Sequence, residues 1–447
     1  MLKDDVRTPK TGRMAQAVVA APAAIGDEIL DSLVAVLDVV RHDAASTRPE
    51  IMRRTGLGRA VVVQRVEELI GRGLLVEAGL GPSSGGRAPR TIQLNASAGH
   101  VLVADLGATS IGVGIADLSG NLVEQREEPA DVTDGPEAIL GRVEELFAGL
   151  GSERHEDLGA LWGIGIGVPG PVEFATGRPV SPPIMPGWND YPVRERFSTP
   201  HNVPVWVDND VNLMALGEYR AGVARGHDAA IFIKVGTGIG AGIIIDGKLH
   251  RGSQGSAGDV GHIQVADDPS IICRCGNIGC LEALAGGAAL ARDGTRAARD
   301  GRSRLLAGLL AERGRIEATE VGWAAAHGDA VSRQLIATAG NRIGLMVATL
   351  VNALNPSLVV IGGGVSGLGD ALIASVRETV YGRSLPLATR DLQIVRSSLD
   401  DEAGRIGAAS IVVDELFSRA RISTWLSAGS PAGLAERVTP ATRIAKG

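Results

Sequence analysis

The sequence predicts an α/β protein in which a small helical domain with a basic segment precedes a larger body of two similar lobes. Three observations predict it. Hydrophobic residues make up 45% of the chain, aromatics only 3%, and there are 61 glycines, so the cores must be built from Ala, Val, Leu and Ile with many tight turns. Two glycine-punctuated helical segments lie within the first hundred residues. Beyond them, strand–glycine turn–strand segments starting at Val101 and Ile231 look alike, with Gly107 and Gly236 in equivalent places. At 447 residues the chain exceeds one ordinary core and suits two or three folded units.

Taken in order, residues 1–26 are mixed in charge without a sustained period and read as an N-terminal tail. From Ile29 to Val40 apolar residues recur at helical spacing, with Asp27 as the expected cap. "STRPEIMRRTG" restarts a helix after Ser46 or Thr47, with Pro49 in its first turn and Gly56 as its stop. A short turn follows, then a second helix from Arg59 to about Arg72, ended by Gly73. "LLVEAGLGPSSGGRAPRTIQLN" reads as strand, loop and strand, the form of a wing. Residues 27–95 are therefore expected to form a winged helix-turn-helix domain. The two lobes are assigned to 96–208 and 209–420, with the last helix returning to the first lobe. Residues 421–447, rich in small and breaker residues, read as a tail.

The formal net charge of -7 argues against nucleic acid only when the chain is taken whole. Residues 46–94 carry eight Lys and Arg against four Asp and Glu, so the basic excess sits in the helix-turn-helix segment. Double-stranded DNA is the partner this predicts, with Arg48, Arg59, Gln64 and Arg65 toward the duplex and Arg87 and Arg90 in the wing. A solvated helix face is the plainer alternative for any one of these side chains. One such domain covers a half-site, so a homodimer or dimer of dimers on an inverted repeat is expected. No apolar run approaches the roughly 18 residues of a membrane span and the N-terminus lacks an apolar leader, which predicts a cytoplasmic protein without a membrane partner.

All three cysteines fall between Cys273 and Cys280, a pattern that suits a metal cluster better than disulfides. With His262 they supply three thiolates and an imidazole, the donor set of a closed, structural zinc site. Buried free cysteines beside an unrelated histidine are the alternative. In "KVGTGIGAG", Gly236, Thr237, Gly238, Gly240 and Gly242 allow backbone amides to approach a phosphate chain, although a hairpin turn needs glycine for its own reasons. Gly363 and Gly364, after the apolar strand in "NPSLVVIGGGVS", offer a second such place. "VWVDNDVN" brings Asp208, Asn209 and Asp210 to a strand end, where an Asp can accept a hydroxyl proton in phosphoryl transfer or simply cap the following helix.

These motifs in this order, "GTGIGAG", "DND", "IGGGVS" and the zinc loop with its "GH" prefix and "GCLE" suffix, resemble the ROK family over residues 28 to about 415. That family groups sugar kinases with repressors that share their fold. The resemblance implies an actin-like, ribonuclease-H-like pair of lobes with sugar and nucleotide in the cleft between them. It implies that Asn209, Asp210, Asp259, His262 and Glu282 line the sugar pocket, with Asp210 as the catalytic base if the chain is a kinase. Asp105, Gly107 and Thr109 would join Gly236, Thr237, Gly238, Gly363 and Gly364 at any nucleotide, with ATP and Mg2+ as cofactors only in that case. This chain departs from the family's kinases at Ala108, which stands where the second phosphate-loop glycine is usual, at Asp259 for a usual Glu, and at Ile184 for a usual Asn. The expected function is a transcription regulator, more simply a repressor, that responds to a sugar or sugar phosphate. An ATP-dependent sugar kinase is the alternative.

Overall fold

The computed structural model describes residues 26–42, 46–81, 88–151, 158–364 and 370–438. The N-terminal unit holds α1 (Asp27–His42), β1 (Ser46–Thr47), α2 (Arg48–Thr55), α3 (Arg59–Gly71), β2 (Leu75–Leu80) and β3 (Arg90–Leu94). Helix α1 buries Leu30, Leu33, Val36, Leu37 and Val40, a stripe at helical spacing. Asp27 is not its cap: Leu30 N donates to Gly26 O at 3.0 Å, and the Asp27 carboxylate instead pairs with Arg419 at 3.1 Å. Gly56, at φ +70°, ends α2 in the left-handed conformation that lets the chain turn into α3. Strand β3 is the centre of a three-stranded antiparallel sheet in the order β1-β3-β2. Arg87 lies outside the described residues.

The body consists of two sheets of one topology. The first lobe holds β4 (Gly99–Leu106), β5 (Ser110–Asp117), β6 (Leu122–Pro129), α4 (Pro136–Gly149), β7 (Ala160–Val168), β8 (Val172–Glu173), β9 (Arg178–Pro179), α5 (Val193–His201) and β10 (Val205–Asn209). Its sheet order is β10-β7-β4-β5-β6, with β4 antiparallel to β5 and parallel to β7. Helix α6 (Asp210–Ala221) leads into β11 (Ala230–Val235), β12 (Ile239–Ile245) and β13 (Lys248–Leu249). A helical layer follows: α7 (Leu281–Ala285), α8 (Gly287–Arg299), α9 (Arg304–Arg313), α10 (Ala318–Ala326) and α11 (Ala330–Leu354). Then come β14 (Leu358–Gly362), α12 (Asp370–Arg383), α13 (Pro386–Thr389), β15 (Gln393–Arg396), α14 (Glu402–Phe417), α15 (Arg419–Trp425) and α16 (Ala435–Val438). The second sheet runs β13-β12-β11-β14-β15, with β11 antiparallel to β12 and parallel to β14, so the repeated hairpins read from sequence occupy corresponding places. Helix α11 is long and apolar enough to span a bilayer by length and composition, yet half of its most apolar stretch is buried and it packs on α12 as a core helix.

Helix α14 returns to the first lobe as expected, lying on β4 and β7. Glycines permit its close packing: a Cβ on Gly165 of β7 would fall 2.3 Å from Ala408 O, and one on Gly407, where α14 also crosses α6, 1.8 Å from Leu213 O.

The reading of 421–447 as an appended tail is corrected by the structure as far as Val438. Ile422, Trp425, Leu426 and Val438 are fully buried in a core shared by α1, α3, the first lobe and α14. The Trp425 ring stands edge-on to Trp162, centroids 5.2 Å apart, and to Phe417 at 5.7 Å, while its Nε1 donates to Leu416 O at 2.9 Å. Arg72 of α3's C-terminus donates to Leu426 O at 2.9 Å, tying the segment to the N-terminal domain. Small and helix-breaking residues are frequent there, and among them stand four apolar anchors that the neighbouring units cover.

Candidate functional site

Between the lobes lies a cleft of about 960 Å³. Every sugar- and nucleotide-site candidate reaches its wall: Asp105, Gly107 and Thr109 from the first lobe; Asn209 and Asp210 from the β10–α6 junction; Gly236, Thr237, Gly238, Asp259, His262, Glu282, Gly363 and Gly364 from the second. Ala108 and Ile184 line it as well.

The β10–α6 junction shows both of its sequence readings at once. Asn209 is the N-cap of α6, its Oδ1 accepting from Val211 N at 2.9 Å and Asn212 N at 3.1 Å. Its Nδ2 donates to Gly170 O and to Asp210 Oδ1, so the amide is engaged in holding Asp210 rather than free for a ligand. Behind it the buried Asp208 accepts from Arg251 Nε at 2.7 Å and Asn212 Nδ2 at 2.9 Å, and Arg251 stacks on the Phe174 ring. Asp210 is almost fully buried. Its Oδ1 accepts Val211 N at 2.9 Å and its Oδ2 accepts the ammonium of Lys234 at 2.5 Å.

Lys234 is the penultimate residue of the apolar strand β11, two positions before Gly236, and sequence reasoning passed over it; a lysine in "AIFIKV" was the available signal. Burial works against its charge, but Asp210 and Asp105 outweigh that and hold its pKa above the ordinary lysine value. Asp105, at the end of β4, has an Oδ1 without a hydrogen-bond partner. Burial pushes its carboxyl up to about 7, with Lys234 pulling down and Asp210 pushing up. A carboxyl raised above its unfolded value gives full stability below about 3.8 and loses it as pH rises through about 7. The melting temperature is therefore expected to fall across that window, and Asp105→Asn to flatten the fall. Identical pH slopes for the two proteins would rule out a protonated Asp105.

The glycines of "GTGIGAG" divide between two roles. A Cβ on Gly240 would lie 2.9 Å from Val211 Cγ2 and one on Gly242 2.4 Å from Ala215 Cβ, so both admit α6; Gly240 also lines the cleft and Gly242 does not, which corrects the sequence reading for Gly242. A Cβ on Gly238 would stand 2.3 Å from Glu282 Oε2, which accepts from Ile239 N at 3.2 Å. Gly236 and Thr237 remain at the open turn beside Gly363 and Gly364.

The ligand atoms of His262, Cys273, Cys275 and Cys280 lie within 4.8 Å of one another. His262 Nδ1 is 3.6 Å from Cys273 Sγ, and Cys275 Sγ is 3.7 Å from Cys280 Sγ. Thiolates on one tetrahedral zinc stand about 3.8 Å apart, so the donor set fits that ion. With Nδ1 toward the sulfurs, Nε2 is the ring nitrogen left to the cleft that His262 lines.

On the N-terminal domain, Arg59 and Gln64 are exposed along α3, and Arg53 and Arg54 are exposed on α2, where sequence reasoning did not place contacts. Arg48 and Arg90 converge on Glu77, at 3.0 and 2.6 Å. Arg65 is corrected: it is 8% exposed, donates through Nε to Ser32 Oγ at 2.8 Å and pairs with Glu68, so it braces α3 against α1 instead of meeting DNA. On α3 it falls among the positions that bury Val62, Val66 and Leu69.

Comparison with known proteins decides the family, because the ROK family profile matches residues 101–415. The chain belongs to the ROK family. It is 33% identical over 386 residues to a xylose repressor of Caldicellulosiruptor bescii, covering 86% of this chain and 95% of that one. It is also 33% identical over 308 residues to a glucokinase of Halalkalibacterium halodurans, covering 69% and 93%. Among solved structures, a ROK family transcriptional regulator homologous to the E. coli MLC protein superposes with a TM-score of 0.74 at 25% identity, over 92% of this chain and 99% of that one. A ROK family glucokinase from Streptomyces griseus, in complex with glucose and AMPPNP, superposes at 0.62 with 30% identity over 70% of this chain and 99% of that one. The ROK body thus carries the two-lobed sugar-kinase fold, and the repressor-like match extends further along this chain than the kinase match.

Proposed function

We propose that this ROK protein is a sugar-responsive transcriptional repressor, cytoplasmic and homodimeric, that binds an inverted-repeat operator and carries one structural zinc. The observation that carries this reading is the N-terminal unit of three helices and a three-stranded sheet joined to the ROK body, which we read as a winged helix-turn-helix. Its exposed Arg59 and Gln64 stand on the helix that enters the major groove in such domains, and Arg90, with Arg48 behind it, flanks the wing. The repressor match over 86% of the chain, against 69% for the glucokinase, supports the same reading.

Two helices give the cleft a route to that domain. Helix α6 starts at Asp210 in the cleft and ends with Arg220 paired to Asp414; Asp401 and Arg405, at the start of α14, line the cleft. Asp414 also accepts from Arg41 of α1 at 2.8 Å, and the Arg41 guanidinium lies over Phe417. A ligand that favours one arrangement of the lobes therefore shifts α14 against the DNA-binding domain. His262, Asp259, Glu282 and Asp210 are the groups proposed to meet the sugar hydroxyls.

The test is a pair of gel-shift titrations on a palindromic operator, with and without sugar. Glu282→Ala is expected to bind operator normally and lose the sugar response, whose coupling of about 1–3 kcal/mol appears as a roughly 5- to 150-fold change in affinity. Arg59→Ala is expected to lose operator affinity by at least about tenfold while still binding sugar. A normal response from Glu282→Ala, or a footprint without two-fold symmetry, would overturn the assignment.

A further inference from the structure

The position of Lys234 bears on what kind of ligand this cleft accepts, and on why the kinase fold need not act as a kinase here. Phosphoryl transfer requires a divalent cation beside carboxylates at the strand ends, with nucleotide phosphates on the neighbouring glycine turns. The carboxylates at those ends are Asp105 and Asp210, and the turns are those of Gly236 and Gly363. Lys234 occupies this junction. A Cβ on Gly363 would stand 3.0 Å from its Cγ and one on Gly236 3.7 Å from its Cε, so its stem passes between the two turns. Its ammonium donates to Asp210 Oδ2, the carboxylate oxygen that the backbone of α6 leaves open.

We propose that Lys234 is an internal cation standing where a kinase would bring its metal ion, so that the cleft receives an uncharged, unphosphorylated sugar and transfers no phosphoryl group. This rests on reading the cleft as the sugar site. Mg2+ does not fit beside a fixed ammonium on the same carboxylate: like charges at hydrogen-bonding range repel, and the carboxylate has already exchanged its hydration for the lysine. The rest of the wall excludes a phosphate for the opposite reason. Glu127, Asp259, Glu282 and Asp401 add to the two carboxylates already named, while Arg405 is paired with Glu127. Arg315, the remaining cation on the wall, is exposed and paired with Glu317 at 3.0 Å. With Lys234 paired to Asp210, a phosphate dianion would meet carboxyl groups and no unpaired Lys or Arg among the described residues of the wall. A sugar's hydroxyls suit the same wall, since carboxyl groups exchange hydrogen bonds with neutral hydroxyls in either protonation state.

The experiment uses the full zinc-loaded chain, as wild type, Lys234→Ala and Lys234→Met, the last keeping the stem without the charge. Mn2+ binding is read by electron paramagnetic resonance, and binding of xylose, glucose and their phosphate esters by calorimetry without nucleotide. Sugar-dependent ATP turnover is measured against an Asp210→Asn control. Wild type is expected to bind a free sugar at least tenfold more tightly than its phosphate ester and to show no turnover above Asp210→Asn. Either lysine variant is expected to gain at least tenfold in Mn2+ affinity, a gain that adding Asp210→Asn removes. Wild-type turnover that Asp210→Asn abolishes, tighter binding of the phosphate ester, or no gain of Mn2+ affinity in whichever variant folds would each overturn the proposal. If no sugar of either form binds wild type, the reading of the cleft fails with the ligand class, and the Mn2+ comparison alone still decides whether Lys234 holds the metal's place.

Discussion

Replacing Trp425 with alanine is expected to lower stability by about 3–5 kcal/mol, the range for truncating a buried aromatic side chain to alanine. Its ring contacts join Trp162 on β7 and Phe417 on α14, in a core that also contains Leu33, Leu37 and Leu69 of the N-terminal domain. The cavity would therefore open where the N-terminal domain, the first lobe and the C-terminal segment meet. Neighbouring polar ties cannot close it: Arg419 pairs with Asp27 and Asp31, and Arg41 with Asp414, at the margin of the same interface. The expected readouts are a lower denaturation midpoint and, in the fraction still folded, operator binding that no longer responds to sugar. Trp425→Phe should recover most of the stability, since it restores much of the ring volume while losing the bond to Leu416 O. A Trp425→Ala protein within about 1 kcal/mol of wild type would mean that the C-terminal segment is not part of the cooperative core.

Removing the metal is the second change with a large expected effect. Cys280 is fully buried, and without a cation burial pushes its thiol up to about 12, with the neighbouring cysteines adding to the shift. The cluster therefore ionises when a cation enters it, and zinc uptake should release protons. Affinity for zinc is expected to fall as pH falls, because protons compete for the sulfurs. Cys280→Ser is expected to leave less than one zinc per chain by elemental analysis. Sugar affinity should drop by at least about tenfold, because a zinc held by this cluster would orient His262, whose Nδ1 stands 3.6 Å from Cys273 Sγ and which lines the cleft. Asp259 and Glu282 flank the same loop, so loss of the ion should disturb them too. Full zinc content in Cys280→Ser, or unchanged sugar binding by metal-free protein, would remove the ion from the site.

Taken by itself, the sequence determined the parts whose signal is local. The paired helices and wing were legible because Gly56 and Gly73 stop helices by a backbone conformation other residues resist. The duplicated hairpins showed through their matched glycine turns, and the His/Cys cluster through four donor residues drawn from one short stretch. The cleft candidates were legible as motifs at strand ends, where a parallel arrangement presents them together.

Tertiary structure alone decided the rest, because each remaining case turns on which distant surface covers a residue. Arg65 shares the charge and helix of Arg59, yet Ser32 on another helix makes it an internal brace. Gly242 shares a motif with Gly236 but packs on α6 instead of lining the cleft. Ile422, Trp425 and Leu426 lie in a stretch with the composition of a tail, and their burial depends on surfaces brought by α1, β7 and α14. Lys234 is one charged residue in an apolar strand, and its partner Asp210 lies 24 residues away across the fold. Composition and periodicity report what a segment prefers; the energy of burying a charge or an indole depends on what meets it, and that is settled only when the units pack.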